Sequence, residues 1–154
     1  RTRHRGVEYE FQWRPWAALT LTASGTRAIH TYRFDRAVEG GETIRRGDDV
    51  DTAPRDLASV RAALRADRAG AELEWLHVGP YWADAANRNR YPGHDLLNVG
   101  AGFSVRARVL NLLDEAYADR ADFAFGNWRY FPGRDRTWFV EIGYAVPSPV
   151  GGSD

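Results

Sequence analysis

The sequence predicts an all-β protein built as an antiparallel, up-and-down sheet. Three observations lead to this prediction. Side chains alternate between apolar and polar along several stretches, the connections between these stretches alternate between short and long, and aromatic residues make up 13% of a chain whose mean hydropathy is only -0.54. Alternation with a period of two indicates strands whose faces meet unlike environments. No stretch approaches the roughly 20 apolar residues that a membrane-spanning helix needs.

The clearest alternation lies near the N-terminus, from Gly6 to Arg14. Glutamate, glutamine and arginine side chains occupy one face of this predicted strand. Pro15 ends it because proline has no N–H for the ladder, and a second strand from Ala17 to about Phe34 follows after two or three residues. The other face of the first strand carries Val7, Tyr9, Phe11 and Trp13.

Continuing along the chain gives seven strands. The later ones are predicted at 57–67, 71–84, 96–99, 103–113 and 137–146, with Gly100, Ala101 and Gly102 at a bend. Their connections are short at 14–16, long at 36–56, short at 68–70, long at 85–94, short near 101 and long at 114–135. Bacterial outer-membrane barrels have tight turns on one side and long loops on the other, whereas soluble sandwiches mix the two. The pattern therefore predicts a transmembrane β-barrel segment.

Seven strands do not close into such a barrel, because bacterial barrels have even strand numbers. The chain is therefore predicted to be an open fragment of a larger barrel, with residues 1–146 as its C-terminal strands and 147–154 as a disordered tail. An Arg facing the middle of the bilayer costs roughly 2–4 kcal/mol. Glu8, Glu10, Arg61 and Arg65 are therefore expected to face the barrel interior.

Composition argues against several other functions. The 21 basic and 21 acidic residues cancel, so no net field favours nucleic acid. The chain has no Cys, and its four His residues show no spacing typical of a metal site. No nucleophile elbow, phosphate loop or dinucleotide fingerprint occurs. We therefore expect no enzyme activity, no metal site and no cofactor.

Several segments resemble TonB-dependent outer-membrane receptors. The most specific is RVLNLLDEAYADRADFAFG followed by RYFPGR, which is similar to the last strands of that family and the long surface loop between them. GVEYEFQWRPW, VDTAPRDLAS, LEWLHVGPYWADAAN and YPGHDLLN are similar to earlier strands, turns and loops. The resemblance extends from Gly6 to Tyr144 and implies a bacterial outer-membrane location.

By this resemblance, the parent protein would capture a scarce ligand such as an iron-siderophore complex, haem or cobalamin. It would move the ligand through the barrel with energy delivered by the TonB complex to a plug domain, which is N-terminal in the family and absent from this chain. Other expected partners are outer-membrane lipid and lipopolysaccharide. Nucleic acid is not an expected partner.

Candidate ligand contacts lie in the predicted loops at the outer mouth. They combine aromatic faces with cationic donors, which suits a large anionic chelate or a porphyrin, and the expected partner is a small metal-chelate ligand. The same residue types also suit an aromatic belt in contact with lipopolysaccharide. The predicted contacts are Tyr91, His94, Trp128, Arg129 and Tyr130.

Two alternative functions are compatible with the sequence. One is a small stand-alone outer-membrane barrel with a structural or adhesive role. The other is a soluble β-sandwich that binds carbohydrate through exposed Trp and Tyr residues. In a sandwich the apolar face of each strand would be core, whereas in a barrel it would meet lipid.

Overall fold

The computed structural model describes residues 1–38, 42–66, 69–102 and 105–143. In chain order the strands are β1 (Thr2–Trp16), β2 (Leu19–Tyr32), β3 (Arg36–Val38), β4 (Glu42–Ile44), β5 (Asp56–Arg65), β6 (Gly70–Val78), β7 (Tyr81–Trp82), β8 (Arg90–Tyr91), β9 (His94–Gly102), β10 (Val105–Leu110), β11 (Ala118–Ala124), β12 (Asn127–Pro132) and β13 (Thr137–Ile142). Within the described ranges, no helix is both long enough and apolar enough to cross a membrane. The predicted tail and the end of the last strand, residues 144–154, lie outside them.

Seven strands form one antiparallel sheet in the order β1, β2, β5, β6, β9, β10, β13. The predicted number of strands and the up-and-down order are confirmed. β1 is much longer than predicted, since it starts at Thr2 and not at Gly6. The predicted turn at 68–70 falls between β5 and β6, and residues 67 and 68 lie outside the described residues. One end of the sheet carries the short connections and is called the turn end; the other carries the long connections and is called the loop end.

The long connections are more regular than predicted. Each contains a two-stranded ribbon, formed by β3 and β4, by β7 and β8, and by β11 and β12. The β11–β12 ribbon turns at Phe125 and Gly126, which both have positive φ, as a tight hairpin turn requires. The strands of two or three residues, β3, β4, β7 and β8, give too few alternations to be recognised from sequence. β11 and β12 are longer, but they lie within the segment predicted as a loop at 114–135.

The predicted bend at Gly100, Ala101 and Gly102 is wrong, because β9 continues through all three residues. A Cβ on Gly100 would lie 3.1 Å from the Cγ of Glu72, and one on Gly102 would lie 2.4 Å from the Cγ of Arg106. These glycines make room for the side chains of neighbouring strands within a straight strand. The connection to β10 passes through residues 103 and 104, which lie outside the described residues.

One face of the sheet is apolar across its full width. Directly opposite residues of an antiparallel pair share a face, so the register identifies each transverse row. One row crosses all seven strands as Trp13, Leu21, Ala62, Leu73, Val99, Val109 and Trp138. Within the described residues, no second sheet of comparable size covers this face, as a sandwich would require. This face is called the outer face below.

The opposite, inner face carries a connected set of charged and amide side chains. Glu72 lies 2.8 Å from Arg108 and 3.6 Å from Arg61, and Glu74 lies 3.9 Å from Arg61. Asn98 donates a hydrogen bond of 3.0 Å to Glu74. The register places Glu8 and Glu10 on this face as well, opposite Thr26 and Ser24. Arg61 and both N-terminal glutamates thus face inward as predicted.

The two faces predict unequal costs for adding a charge. Val60 lies on the outer face near the middle of β5, and its neighbour Ser59 lies on the inner face. We expect Val60→Arg to destabilise the intact protein folded in lipid vesicles, lowering its free energy of unfolding by about 2–4 kcal/mol. Ser59→Arg is the matched control, for which we expect a clearly smaller loss. Denaturant titration in vesicles measures both, and equal losses would contradict the assignment of the faces.

Candidate ligand-binding surface

Three long loops rise from the loop end of the sheet. Loop A (33–55) joins β2 to β5, loop B (79–93) joins β6 to β9, and loop C (111–136) joins β10 to β13. In the part of the chain that the structure describes, the buried apolar cluster lies between loops B and C and not within the sheet; its members are Tyr81, Tyr91, Ala118 and Ala121. The loops are therefore packed against one another.

Two tyrosines of loop B hold the backbone of loop C. The Tyr81 hydroxyl accepts a hydrogen bond from the Ala121 N–H at 2.9 Å, and the Tyr91 hydroxyl accepts one from the Ala118 N–H at 3.0 Å. Tyr91 also donates to the Ala118 carbonyl at 3.3 Å. Burial raises the pKa of Tyr81. The Tyr81 hydroxyl therefore stays protonated, and both hydroxyls link the two loops through hydrogen bonds.

Loop B also binds loop A. The Asn87 side chain accepts from the Asp49 N–H at 2.7 Å and donates to the Asp49 carbonyl at 2.9 Å, and the Thr52 N–H donates to the Trp82 carbonyl at 2.7 Å. The turn that presents Asn87 is held by Asp84, whose side chain accepts from backbone N–H groups of the same turn. Loop B thus contacts both of its neighbours through specific hydrogen bonds.

The Asn-Leu-Leu-Asp segment joins the two ends of loop C. Asn111 is 3% exposed and has a φ of 51°. Its amide nitrogen donates to the carbonyls of Glu115 and Arg134, and its amide oxygen accepts from the Glu115 N–H. Asp114 then accepts from the backbone and side chain of Arg136 at 3.0 Å each. An asparagine is suited to this position because it tolerates positive φ and offers both a donor and an acceptor.

The predicted contact residues fall into two groups. Tyr91 is buried at 7% exposure, and its ring centroid lies 6.3 Å from that of His94, the first residue of β9. Trp128 packs against the buried cluster, and Tyr130 stacks on Trp128 with ring centroids 5.5 Å apart. Tyr91, His94, Trp128 and Tyr130 are thus arranged around one cluster. The sequence suggested that Tyr91 and His94 lie in an open loop. In the structure Tyr91 is buried, and His94 begins a strand of the sheet.

Arg129 lies on the other face of the β11–β12 ribbon. It faces Asp122 across the ribbon, and its Nε lies 2.5 Å from the carboxylate. Arg120 approaches the same carboxylate at 3.2 Å, so two half-exposed guanidinium groups share one buried acid. The Arg120 guanidinium also lies 5.7 Å from the ring centroid of Phe131. This face presents net positive charge beside an exposed aromatic ring.

Sequence reasoning missed several residues at this surface. Arg120 and Phe131 belong to the cationic face of the ribbon, and Tyr81 and Asn111 hold the loops in place. A period of two through Trp128, Arg129, Tyr130 and Phe131 would have separated the two faces of β12. Nothing in the sequence identified Tyr81, because its role depends on contacts 40 positions away.

Asn111 offers a test of the loop arrangement. We expect Asn111→Ala to reduce the free energy of opening of loop C by about 1–3 kcal/mol, since it leaves buried backbone groups without partners. The Glu115 amide, which donates to Asn111, should then exchange with solvent roughly 5- to 150-fold faster by hydrogen-exchange mass spectrometry. Asn127→Ala, at an exposed turn of the same loop, is the control. Equal exchange in the two variants would contradict this role.

His94 gives loop C a pH dependence. Its ring centroid lies 4.5 Å from that of Tyr117, and burial lowers its pKa against the opposing effect of nearby carboxylates, chiefly Asp119. The folded state therefore binds this proton less tightly than an opened loop does. The contribution of neutral His94 to the stability of closed loop C is complete above about pH 6.5. It falls as the pH drops below that value.

We accordingly expect hydrogen exchange in loop C to accelerate between pH 7.5 and 5.5, after correction for the intrinsic exchange rate. His94→Phe keeps an aromatic ring but cannot be protonated, so this variant should lose the acceleration. If it retains the full pH dependence, the effect does not come from His94.

The family described as "TonB dependent receptor-like, beta-barrel" matches residues 1–112. No curated protein sequence matches the chain. Among solved structures, the ferric yersiniabactin uptake receptor FyuA from Yersinia pestis is similar with a TM-score of 0.75 at 20% identity, over 90% of this chain and 23% of that chain. The ferric citrate transporter FecA has a TM-score of 0.76 at 18% identity, over 90% and 23%.

The siderophore receptor PiuA from Acinetobacter baumannii has a TM-score of 0.75 at 12% identity, over 90% of this chain and 21% of that chain. This chain therefore spans less than a quarter of the length of these three structures, and likeness at such identities concerns the fold. The apolar outer face, the polar inner face and the long loops at one end agree with that fold. The chain belongs to the TonB-dependent receptors and forms part of their β-barrel in the bacterial outer membrane.

Proposed function

We propose that this chain contributes part of the outer mouth of a transporter that takes up a scarce metal chelate. The proposed ligand is an iron-siderophore complex. Membership of a receptor and transporter family supports this proposal. So do the titles of the similar structures, which name a ferric yersiniabactin uptake receptor, a siderophore receptor and a ferric citrate transporter. Haem and cobalamin are alternative ligands with the same need for energised uptake.

The observation that carries the proposal is the β11–β12 ribbon at the loop end of the sheet. One of its faces presents Tyr130, 58% exposed and supported by Trp128. The other presents Arg120 and Arg129 beside Phe131. Aromatic faces bind the planar parts of a chelate, and guanidinium groups bind its carboxylate or phenolate oxygens.

The supports of this ribbon favour ligand contact over a purely structural role. Ala121 is fully buried under loop B, and Asp122 is buried beneath its two arginines. The ribbon is therefore held in place before any ligand arrives, which reduces the entropy lost on binding. Its exposed side chains, by contrast, are not needed to bury the apolar cluster.

The inner face suggests how the chain takes part in transport. Its wall of paired Arg and Glu residues is polar, as a face toward a plug domain and a ligand path requires. In this proposal the plug domain comes from a part of the protein outside this chain and receives energy from the TonB complex. The chain supplies wall and mouth, and we assign it no catalytic step.

Ligand binding to the full-length receptor tests the proposal. We expect Tyr130→Ala to weaken binding by roughly 5- to 30-fold, since loss of an aromatic contact costs about 1–2 kcal/mol. Phe125→Ala is the matched control, because Phe125 is 89% exposed at the tip of the same ribbon and stacks on no other ring among the residues that the structure describes. Titration with ferric siderophores, haem and cobalamin, together with surface expression, gives the readout.

Arg129→Ala, compared with Arg129→Lys, tests the cationic face separately. An anionic ligand should lose affinity with alanine and regain part of it with lysine. Unchanged binding by all ribbon variants, at normal surface expression, would overturn the role of the ribbon. Failure of the full-length receptor to bind any of these ligand classes would overturn the proposed function itself.

A further inference from the structure

Arginines occupy alternate positions at the loop end of β1, directly before its apolar stretch. Gly6 packs on Ala28 on the inner face, and the register from Thr2 to Trp13 is unbroken. Arg3 and Arg5 therefore lie on the outer face in line with Val7. On β2, Arg27 lies opposite Val7, and the Arg33 N–H donates to the Arg1 carbonyl at 3.1 Å, which continues the ladder. We call Arg3, Arg5, Arg27 and Arg33 the arginine patch.

The patch lies at the height of the lipid headgroups. The apolar side of β1 runs from Val7 to Trp16, and the irregularity near Pro15 returns Trp16 to the outer face opposite Leu19. Nine residue steps at about 3.4 Å, in a strand tilted by about 40°, give a height of roughly 23 Å. This is close to the apolar band of about 25 Å that outer-membrane barrels present. Arg5 follows directly above its edge.

Other polar pairs lie at the same edge, but each contains a carboxylate. His77 lies 2.8 Å from Asp95 on the outer face. His77 follows the apolar outer positions of β6, and Asp95 precedes those of β9, so the pair lies at the loop end of both. Arg27 lies 3.6 Å from Asp56. These pairs therefore bring no excess positive charge to the headgroup region, in contrast to the outer face at the start of β1 and the end of β2.

The arginine patch carries an excess of positive charge. The acidic side chains along its border are already engaged, Asp49 by Arg55 at 2.8 Å and Asp56 by Arg27. Within the described residues, Arg3, Arg5 and Arg33 form no salt bridge. Like charges on neighbouring positions of a sheet repel one another, and a bound external anion would relieve this repulsion. A guanidinium group matches a phosphate with two parallel hydrogen bonds.

We propose that the arginine patch binds the phosphate groups of a glycolipid in the outer leaflet, with the acyl chains lying along the apolar face below. Charge complementarity and continuity with the lipid-facing surface identify this occupant. A soluble anion would gain only the contacts with the arginines. A phosphorylated glycolipid gains these contacts and, through its acyl chains, contacts with the apolar face as well. The inference depends on the outer-membrane location and is independent of the transported ligand.

Native mass spectrometry of the detergent-purified, full-length receptor tests this site. The probes are bis-phosphorylated lipid A and the same glycolipid without its phosphates. We expect the unmodified receptor to prefer the phosphorylated form by at least about tenfold, as several Arg–phosphate contacts imply. The triple variant Arg3→Gln/Arg5→Gln/Arg33→Gln should bind both forms about equally, and Arg5→Gln alone should show an intermediate preference.

The matched control is Arg36→Gln/Arg45→Gln/Arg46→Gln, which removes three exposed arginines of loop A at the same end of the sheet. It should keep the preference of the unmodified receptor. The proposal is overturned if the patch variant keeps the full preference, or if the control loses as much. If millimolar inorganic phosphate displaces the glycolipid completely, the site is a simple anion site and the glycolipid assignment fails.

Discussion

The register between neighbouring strands is the constraint on which the rest of this structure depends. Because side chains alternate along a strand, a slip of one residue would exchange the two faces of that strand completely. The unbroken row from Trp13 to Trp138 exists because seven strands keep the same phase. The same phase brings Arg61, Glu72 and Arg108 together on the opposite face. The register between neighbouring strands is therefore the one that turns every apolar row toward lipid and every polar row toward the interior.

The same constraint explains where the compact packing of the chain is found. A sheet that meets lipid on one face and a polar interior on the other has no dry core of its own within one strand layer. Close burial is found instead between the loops, where Tyr81 and Tyr91 bring loop B against loop C. Hydrogen bonds to backbone groups dominate there, because short ribbons leave many N–H and C=O groups to be satisfied. The loops thus behave as a small domain carried by the sheet.

The sequence predicted the structure where apolar and polar side chains alternate over several positions. It did not predict features that depend on contacts between distant residues. Alternation over β1, β2, β5, β6 and β13 predicted the sheet, since each strand supplied several alternations. It did not reveal the ribbons within the long loops, whose shortest strands have two or three residues. It also failed at Gly100, where the side chain of Glu72 on the next strand explains the glycine. The candidate contacts were chosen by residue type alone. Type could not show that Tyr91 is buried or that Arg129 and Tyr130 face opposite ways.

The hydrogen bonds of loop B with loops A and C limit how the length of loop B can change. A longer or shorter loop B would displace Asn87 from Asp49 and Tyr81 from Ala121 at the same time. An insertion tolerated in a free loop would here disturb two neighbours. The three loops are therefore expected to vary as a set among relatives of this protein. An engineer who wishes to transfer a binding specificity should exchange loops A, B and C together.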